Sequence, residues 1–160
     1  MSLDDAFPLL EASAPRFEDT RGWLQVLHES GDLVLKRSFS RAGVFRGLHA
    51  QLAPAPQTKI IRVVSGRIVD VLASLDDPQR SIVHRTITAA DGWVRIAAHF
   101  AHGFYACDDT VFEYICQGRY DPGAEQAFSV TAWLRDVMGI VDPILSDKDR
   151  LAPPLHPVTI

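Results

Sequence analysis

The 160-residue chain is 47% hydrophobic and 22% charged, a composition typical of one globular domain and not of a disordered segment. Its formal net charge of -4 argues against nucleic-acid binding through bulk positive charge. No apolar run approaches the roughly 20 residues of a membrane span, and the acidic start Met1–Asp5 lacks a signal-peptide pattern. Cys107 and Cys116 are too few for a disulfide framework, so reduced thiols in a cytoplasmic protein are expected.

The chain reads as a succession of short strands separated by turns. Residues 1–16 are predicted to be an irregular N-terminal segment, and 17–22 a turn. Strand candidates then cover residues 23–28, 33–40, 44–51, 59–64, 67–75, 81–89, 93–98, 103–107 and 111–117. Short strands with turn signals every 8 to 12 residues or so are typical of an all-β sandwich or barrel.

Helix is predicted only near the C-terminus. Thr131–Val137 is expected to hold one or two turns, and Ser146 resembles a helix cap that begins another short turn. Residues 150–160 are expected to be a proline-rich tail without regular structure. With no repeat or linker, a single domain over residues 1–160 is predicted.

The stretch Val44–Gln51 carries the strongest chemical signal. It sets the guanidinium of Arg46, a glycine and the imidazole of His49 within four residues, and Lys59 heads the next apolar run. A glycine inside a strand often marks a bulge or a close backbone approach. A candidate base, an anion-binding group and a second cation are therefore expected on neighbouring strands.

Tyr114 alternates with Glu113 and Ile115 and so shares one face, predicted to be the inner one, with Phe112 and Cys116. Taken singly, each candidate has a commoner structural role: His49 as a hydrogen-bonded core group, Lys59 and Arg46 as surface charges, Tyr114 as packing. Asp149 alone would more often be a helix cap.

The combined pattern resembles a known family. The segments 43–49, 57–66 and 101–104, with Tyr114 and Tyr120 six residues apart, are similar to the dTDP-4-dehydrorhamnose 3,5-epimerases. The resemblance extends from residue 17 to residue 155 and includes 19–22, 38–40 and 145–149. It implies an all-β fold, a cupin-type antiparallel β-barrel (jelly roll) with short helical turns near the C-terminus.

The resemblance also implies roles for individual residues. His49 matches the catalytic base and Asp149 its carboxylate partner, Lys59 the enolate-stabilising lysine, and Tyr114 the proton donor on the opposite face of the sugar. The matched substrate-binding residues are Arg46 near the diphosphate, His102, Tyr120, Gln51, and Arg21, which is implied to reach the nucleotide of a neighbouring subunit.

The implied activity is that of an isomerase that inverts carbon 3, carbon 5 or both of a 4-keto-6-deoxy nucleotide sugar. The ketone acidifies the neighbouring protons, an imidazole removes one, and an ammonium stabilises the enolate oxygen. Because the ketone is itself the electron sink, neither metal nor organic cofactor is expected. The resemblance further implies a homodimer.

Several positions depart from the family pattern. Val26 stands where a glutamate is expected, Lys36 where an asparagine is expected, and Asp142-Pro143 where tryptophan-proline is expected. Residues 97–100 lack a usual proline and glycine. These changes concern nucleotide and sugar contacts, so the substrate could differ from the usual one.

Two alternatives remain open from the sequence. His49, His99 and His102 could supply three imidazole ligands to a metal-dependent cupin enzyme, although the usual histidine-x-histidine motif is missing at Ala50-Gln51. A non-catalytic sugar-nucleotide-binding cupin would also tolerate the altered contacts.

Overall fold

The computed structural model describes residues 14–156, which contain eleven β-strands and two α-helices. The strands are β1 (Arg16–Asp19), β2 (Gly22–Ser30), β3 (Leu33–Ser40), β4 (Phe45–Gln51), β5 (Thr58–Ser65), β6 (Arg67–Ser74), β7 (Ile82–Thr88), β8 (Val94–Ile96), β9 (Phe100–Ala106), β10 (Thr110–Gln117) and β11 (Glu125–Ala127). The helices are α1 (Thr131–Met138) and α2 (Asp147–Leu151), and short 3-10 turns lie at Ala89–Asp91 and Pro122–Ala124.

The strands form two sheets in which every strand pair is antiparallel. The six-stranded sheet has the order β1-β2-β3-β10-β5-β8, and the five-stranded sheet has the order β11-β4-β9-β6-β7. The prediction of an all-β antiparallel fold is confirmed.

Two apolar clusters hold the sheets in place. One lies between the sheets and consists of Ile61, Val63, Ile68, Ile87, Ile96, Phe104 and Phe112. The other packs α1 onto the opposite face of the five-stranded sheet, where Leu134 meets residues of β4, β6 and β9. Side chains alternate along a strand. One face of β4, β6 and β9 therefore packs in the cluster under α1, and the other face lines the barrel interior.

A glycine contact shapes the strand that carries the candidate base. Gly47 and Gly103 face each other across β4 and β9 so closely that a Cβ on Gly103 would lie 2.6 Å from the carbonyl oxygen of Arg46. The β4–β9 register shifts between Arg46 and His49. This irregularity lets both Arg46 and His49, three positions apart, line the barrel interior.

All nine predicted strands are present, with ends displaced by up to three residues. The structure adds two strands that the sequence does not predict: β1, at the end of the predicted irregular segment and the start of the predicted turn, and β11. The predicted start of an irregular tail at residue 150 is wrong, since α2 continues to Leu151. Residues 1–13 and 157–160 of the predicted terminal segments lie outside the described residues, and the single-domain assignment stays a prediction.

Among residues 14–156, no helix has both the length and the apolar character needed to cross a membrane.

Candidate active site

A cavity between the two sheets collects most of the predicted site residues. It has two chambers that share His49, Lys59 and Tyr114. The arginine chamber, of about 300 Å³, is additionally lined by Arg21, Leu24, Ser38, Arg46, Ile61, His102, Phe104, Phe112, Ser146 and Lys148. The Lys36 chamber, of about 250 Å³, is additionally lined by Val26, Glu29, Val34, Lys36, Ala50, Gln51, Gln57, Cys116, Tyr120 and Glu125.

His49 and Asp149 form a hydrogen-bonded pair at the centre of the cavity. Nε2 of His49 lies 2.6 Å from Oδ1 of Asp149, and Asp149 is only 2% exposed. Ser146 caps α2 by accepting a hydrogen bond from the Asp149 backbone N–H at 3.1 Å, which fixes the carboxylate at the start of the helix. Burial disfavours the Asp149 anion and alone would raise its pKa. The hydrogen bond and the electrostatic attraction to His49 outweigh burial, so the pKa of Asp149 lies below its ordinary value.

Lys59 reaches the same point from β5, in the facing sheet. Its Nζ donates a hydrogen bond of 3.0 Å to the backbone carbonyl oxygen of His49. Burial lowers the pKa of Lys59 from its ordinary value, because an ammonium loses hydration in the cavity. The lysine therefore presents a poorly hydrated amino group beside the main chain of His49, in the cavity that the imidazole also lines.

Tyr114 occupies the wall opposite His49. It lies on β10, in the six-stranded sheet, whereas His49 lies on β4, in the five-stranded sheet. Burial raises the pKa of Tyr114 well above its ordinary value, although the nearby Arg46 charge opposes this shift. The side chain is consequently a neutral phenol at physiological pH, and so a proton donor, facing an imidazole across the cavity.

Two arginines mark one end of the arginine chamber. Arg46 is held by hydrogen bonds of 2.8 Å to Oγ of Ser40 and 3.1 Å to the carbonyl oxygen of Phe39. Arg21 is held by Asp19, and its Nη1 lies 3.9 Å from Oδ2 of Asp149. Burial and the neighbouring Arg21 charge lower the pKa of Arg46 from its ordinary value. Converging guanidinium groups of this kind suit a diphosphate.

His102 belongs to a second buried pair, and its partner was missed from the sequence. Nε2 of His102 lies 2.6 Å from Oδ1 of Asp70 on the adjacent strand β6, and both residues are buried. The available signal was an aspartate inside an otherwise apolar run, Ile68–Leu72. Such a carboxylate needs a buried partner, and the partner here is a residue of the cavity wall.

The comparisons with known proteins identify one family. A protein-family model described as dTDP-4-dehydrorhamnose 3,5-epimerase matches residues 8–157. The chain belongs to this family. It is 30% identical to the enzyme of that name from Streptomyces griseus, over 86% of this chain and 77% of the relative. It is 34% identical to the Mycobacterium tuberculosis enzyme, over 76% of this chain and 64% of the relative.

A solved family structure shows the same fold. The crystal structure of the dTDP-4-dehydrorhamnose 3,5-epimerase from Bacillus anthracis superposes with a TM-score of 0.69 at 30% identity, over 89% of this chain and 91% of that one. The predicted cupin-type barrel of this epimerase family is thereby confirmed.

Two predicted substrate-binding residues lie at the edge of the Lys36 chamber. Tyr120 is 55% exposed, with Nζ of Lys36 at 6.0 Å from its ring centre. Gln51 is buried. Its side-chain amide donates hydrogen bonds to the carbonyl oxygens of Ala55 and Arg119 and accepts one from the backbone N–H of Asp121. Gln51 therefore fixes the loop that carries Tyr120, and its contact with a substrate stays a prediction. The same holds for the reach of Arg21 to a neighbouring subunit, since Arg21 faces the cavity of its own chain.

The alternative metal site is wrong. His49, His99 and His102 all lie within residues 14–156, where no group of three histidine, cysteine or carboxylate ligands converges. His99 is exposed and packs on Phe100, with ring centres 4.3 Å apart. His49 and His102 are instead bound to separate aspartates, Asp149 and Asp70.

The departures from the family pattern are not scattered evenly. Val26 and Lys36 are direct partners in the β2–β3 register, and both line the Lys36 chamber. Asp142 lies in the exposed segment before α2, and it lines neither chamber. The altered contacts of the cavity are thus concentrated in one chamber.

Proposed function

We propose that this protein is an epimerase that inverts carbon 3, carbon 5 or both of a 4-keto-6-deoxy nucleotide sugar of the dTDP-4-dehydro-6-deoxyglucose type. The observation that carries the proposal is the placement of His49 and Tyr114 on opposite walls of one cavity, which Lys59 also lines while it donates a hydrogen bond to the His49 main chain. Family membership supports the same activity.

The proposed reaction is a proton transfer across the sugar ring. His49 removes the proton from the carbon next to the ketone, and the electron pair of the C–H bond moves onto the ketone oxygen to give an enolate. The Asp149 carboxylate orients the imidazole and stabilises the imidazolium. The ammonium of Lys59 stabilises the enolate oxygen.

Inversion requires the new proton to arrive from the other face. Tyr114 donates its phenolic proton to the carbon as the enolate collapses to the ketone. Solvent then reprotonates the phenolate and takes up the proton held by the His49 imidazolium. Arg46 is close enough to Tyr114 to favour this phenolate electrostatically. No metal or organic cofactor enters the balance, because the ketone accepts and returns the electron pair.

Substrate binding follows from the charge of the arginine chamber. Arg21 and Arg46 bind the diphosphate, which places the sugar between His49 and Tyr114. The Bacillus anthracis relative was crystallised with TDP and PPi bound, which supports a nucleotide ligand of this class. A homodimer and a cytoplasmic location belong to the same proposal.

Deuterium exchange tests the proposal. In D₂O the protein is expected to introduce deuterium at carbon 3, carbon 5 or both of dTDP-4-dehydro-6-deoxyglucose far faster than a protein-free blank. His49→Ala should abolish this exchange and leave dTDP binding nearly intact, because the diphosphate contacts remain. His28→Ala, an exposed histidine on β2 outside both chambers, is the matched control.

Two results would contradict the proposal. If the wild-type protein binds 4-keto nucleotide sugars but exchanges no proton with any of them, it is a binding module and not an epimerase. Substantial exchange by His49→Ala would instead remove His49 from the role of base.

A further inference from the structure

The few lysines of this chain are concentrated in the cavity. Of 16 basic residues, only Lys36, Lys59 and Lys148 are lysines. All three line the two chambers. Lys148 is neutralised by Glu125, at 2.7 Å, and Lys59 is assigned to the enolate oxygen. Lys36 has no role in the reaction described so far.

Lys36 is a half-buried cation with no counter-ion in the part of the chain that the structure describes. Its ammonium lies over the ring faces of Tyr114 and Tyr120, at 5.7 and 6.0 Å from the ring centres. Within residues 14–156 it forms no hydrogen bond or ion pair, and its nearest strand partner on β2 is the apolar Val26. An unneutralised ammonium in a partly desolvated site costs stability unless a negative charge is supplied there.

The sheet register places Lys36 and Lys59 on either side of β10, so that both line the Lys36 chamber. On β10, Tyr114 is opposite Lys36 of β3, and Cys116 is opposite Lys59 of β5. The two lysines therefore flank β10 on its inner face. Their strands are about 10 Å apart, because neighbouring strands are spaced by about 4.8 Å, and the lysines are offset by two positions along β10. Both long side chains line the Lys36 chamber.

The nearby carboxylates are each paired with another group or exposed, although Glu125 and Asp70 still favour the charged form of Lys59. Glu125 is bound to Lys148, and Glu29 is an exposed residue of the rim. Behind the chamber, Asp70 is bound to His102. Burial raises the pKa of Cys116, so the thiol is neutral. Lys36 also helps to lower the pKa of Lys59, although burial is the larger cause.

We propose that Lys36 is a second enolate-stabilising cation, which acts on the ketone oxygen from the opposite side of β10 to Lys59. The inference rests on the proposed function. The bound ketone is neutral, and negative charge reaches its oxygen only as His49 takes the carbon-bound proton. The mutual repulsion of Lys36 and Lys59 is relieved at that moment, so the pair favours the transition state over the ground state. No bond to Lys36 forms or breaks.

Kinetics of deuterium exchange test this assignment. Lys36→Met keeps the length and apolar contacts of the side chain but removes its charge, and should lower kcat for exchange by about tenfold to a hundredfold. The Kd for dTDP should stay within about twofold, since the diphosphate lies at the arginine end. Lys36→Arg should recover most of the rate. Arg95→Met, an exposed cation on the edge strand β8, is the matched control and should exchange like the wild type.

The pH profile gives a readout that a packing role would not change. Exchange should fail at high pH as Lys59 loses its proton. Removing Lys36 removes the repulsion and raises the pKa of Lys59, so the alkaline limb of Lys36→Met should move to higher pH even though the maximal rate is lower. The same shift is measurable without substrate, by ¹³C-methylation of the three lysines and NMR titration of the Lys59 signal.

The outcomes separate the two proposals. If the wild type exchanges protons and Lys36→Met does so at the same rate with the same alkaline limb, the role of Lys36 is overturned and the epimerase stands. A loss that appears only in Kd would also overturn it. If the wild type exchanges no proton with any 4-keto nucleotide sugar, the epimerase itself fails, whatever the Lys59 titration gives.

Discussion

Asp149 lies 2.6 Å from the His49 imidazole although one hundred positions separate the two residues in the chain. The contact joins β4 to α2, a helix of five residues whose first turn is capped by Ser146. The carboxylate is held further by the Gly47 backbone N–H, at 3.4 Å. A buried anion in this position fixes which imidazole nitrogen carries the proton and leaves the other to act as base.

Asp149→Asn should therefore slow deuterium exchange by about a hundredfold or more, because an amide no longer stabilises the imidazolium or fixes the tautomer. The Kd for dTDP should change little. Asp147→Asn, an exposed residue of the same helix, is the control and should exchange at the wild-type rate. Wild-type exchange by Asp149→Asn would show that the base works without its partner.

Tyr114→Phe should separate the two halves of the reaction. The variant retains His49 and Lys59, so NMR should still detect deuterium entering the recovered substrate, while the yield of inverted product falls by about tenfold or more. Tyr105→Phe, on the face of β9 that packs toward α1, is the control. Normal inversion by Tyr114→Phe would transfer the acid role to Tyr120 or to water.

The strand content was predictable because alternation and turn residues are local signals. Leu33–Ser40 coincides with β3 in both ends, since Gly31-Asp32 and Ala42-Gly43 bracket it. The two missed strands, β1 and β11, have only four and three residues and too little alternation to stand out. Their pairing partners β2 and β4 decide their conformation.

The site was less predictable, because its contacts join distant parts of the chain. Spacing alone gave no reason to pair His49 with Asp149, and that pairing came from the family resemblance. The pairing of Asp70 with His102 is not predictable from local pattern either, because periodicity does not show that β6 and β9 are neighbours. Strand order, not local pattern, brings such groups together.

Glu113 provides a stability prediction away from the cavity. It is 3% exposed and accepts hydrogen bonds from Nε of Arg37 at 2.8 Å and from Nε of Arg62 at 2.6 Å. Burial disfavours its anion, but the two arginines outweigh burial and hold the pKa of Glu113 below its ordinary value. Glu113→Gln should lower the free energy of unfolding at neutral pH by about 2 kcal/mol, because the arginines are partly exposed and the full penalty of a broken buried pair does not apply.

The same residue predicts a pH dependence with a definite sign. A carboxyl whose folded pKa is lowered stabilises the protein above its unfolded pKa of about 4.3, and this contribution is lost as pH falls through the lower folded value. The difference between wild type and Glu113→Gln in urea unfolding should thus shrink below about pH 4. Asp76→Asn, an exposed carboxylate, should show no such difference. A difference that stays constant down to pH 3 would contradict the assigned pKa.

Gly103→Ala should damage both stability and activity, because the added Cβ meets backbone and not a flexible side chain. It would lie 2.6 Å from the Arg46 carbonyl oxygen and 3.0 Å from Cα of Gly47, so β4 must move away from β9. Overpacking of this kind costs about 2 to 3 kcal/mol in urea unfolding. The shift displaces His49 and Arg46 together, and exchange should fall by about tenfold or more even where the variant is fully folded.

Gly123→Ala, where the nearest atom is the Asp121 carboxylate at 3.3 Å, is the control. Full stability and exchange in Gly103→Ala would mean that the β4–β9 contact is looser than the geometry requires.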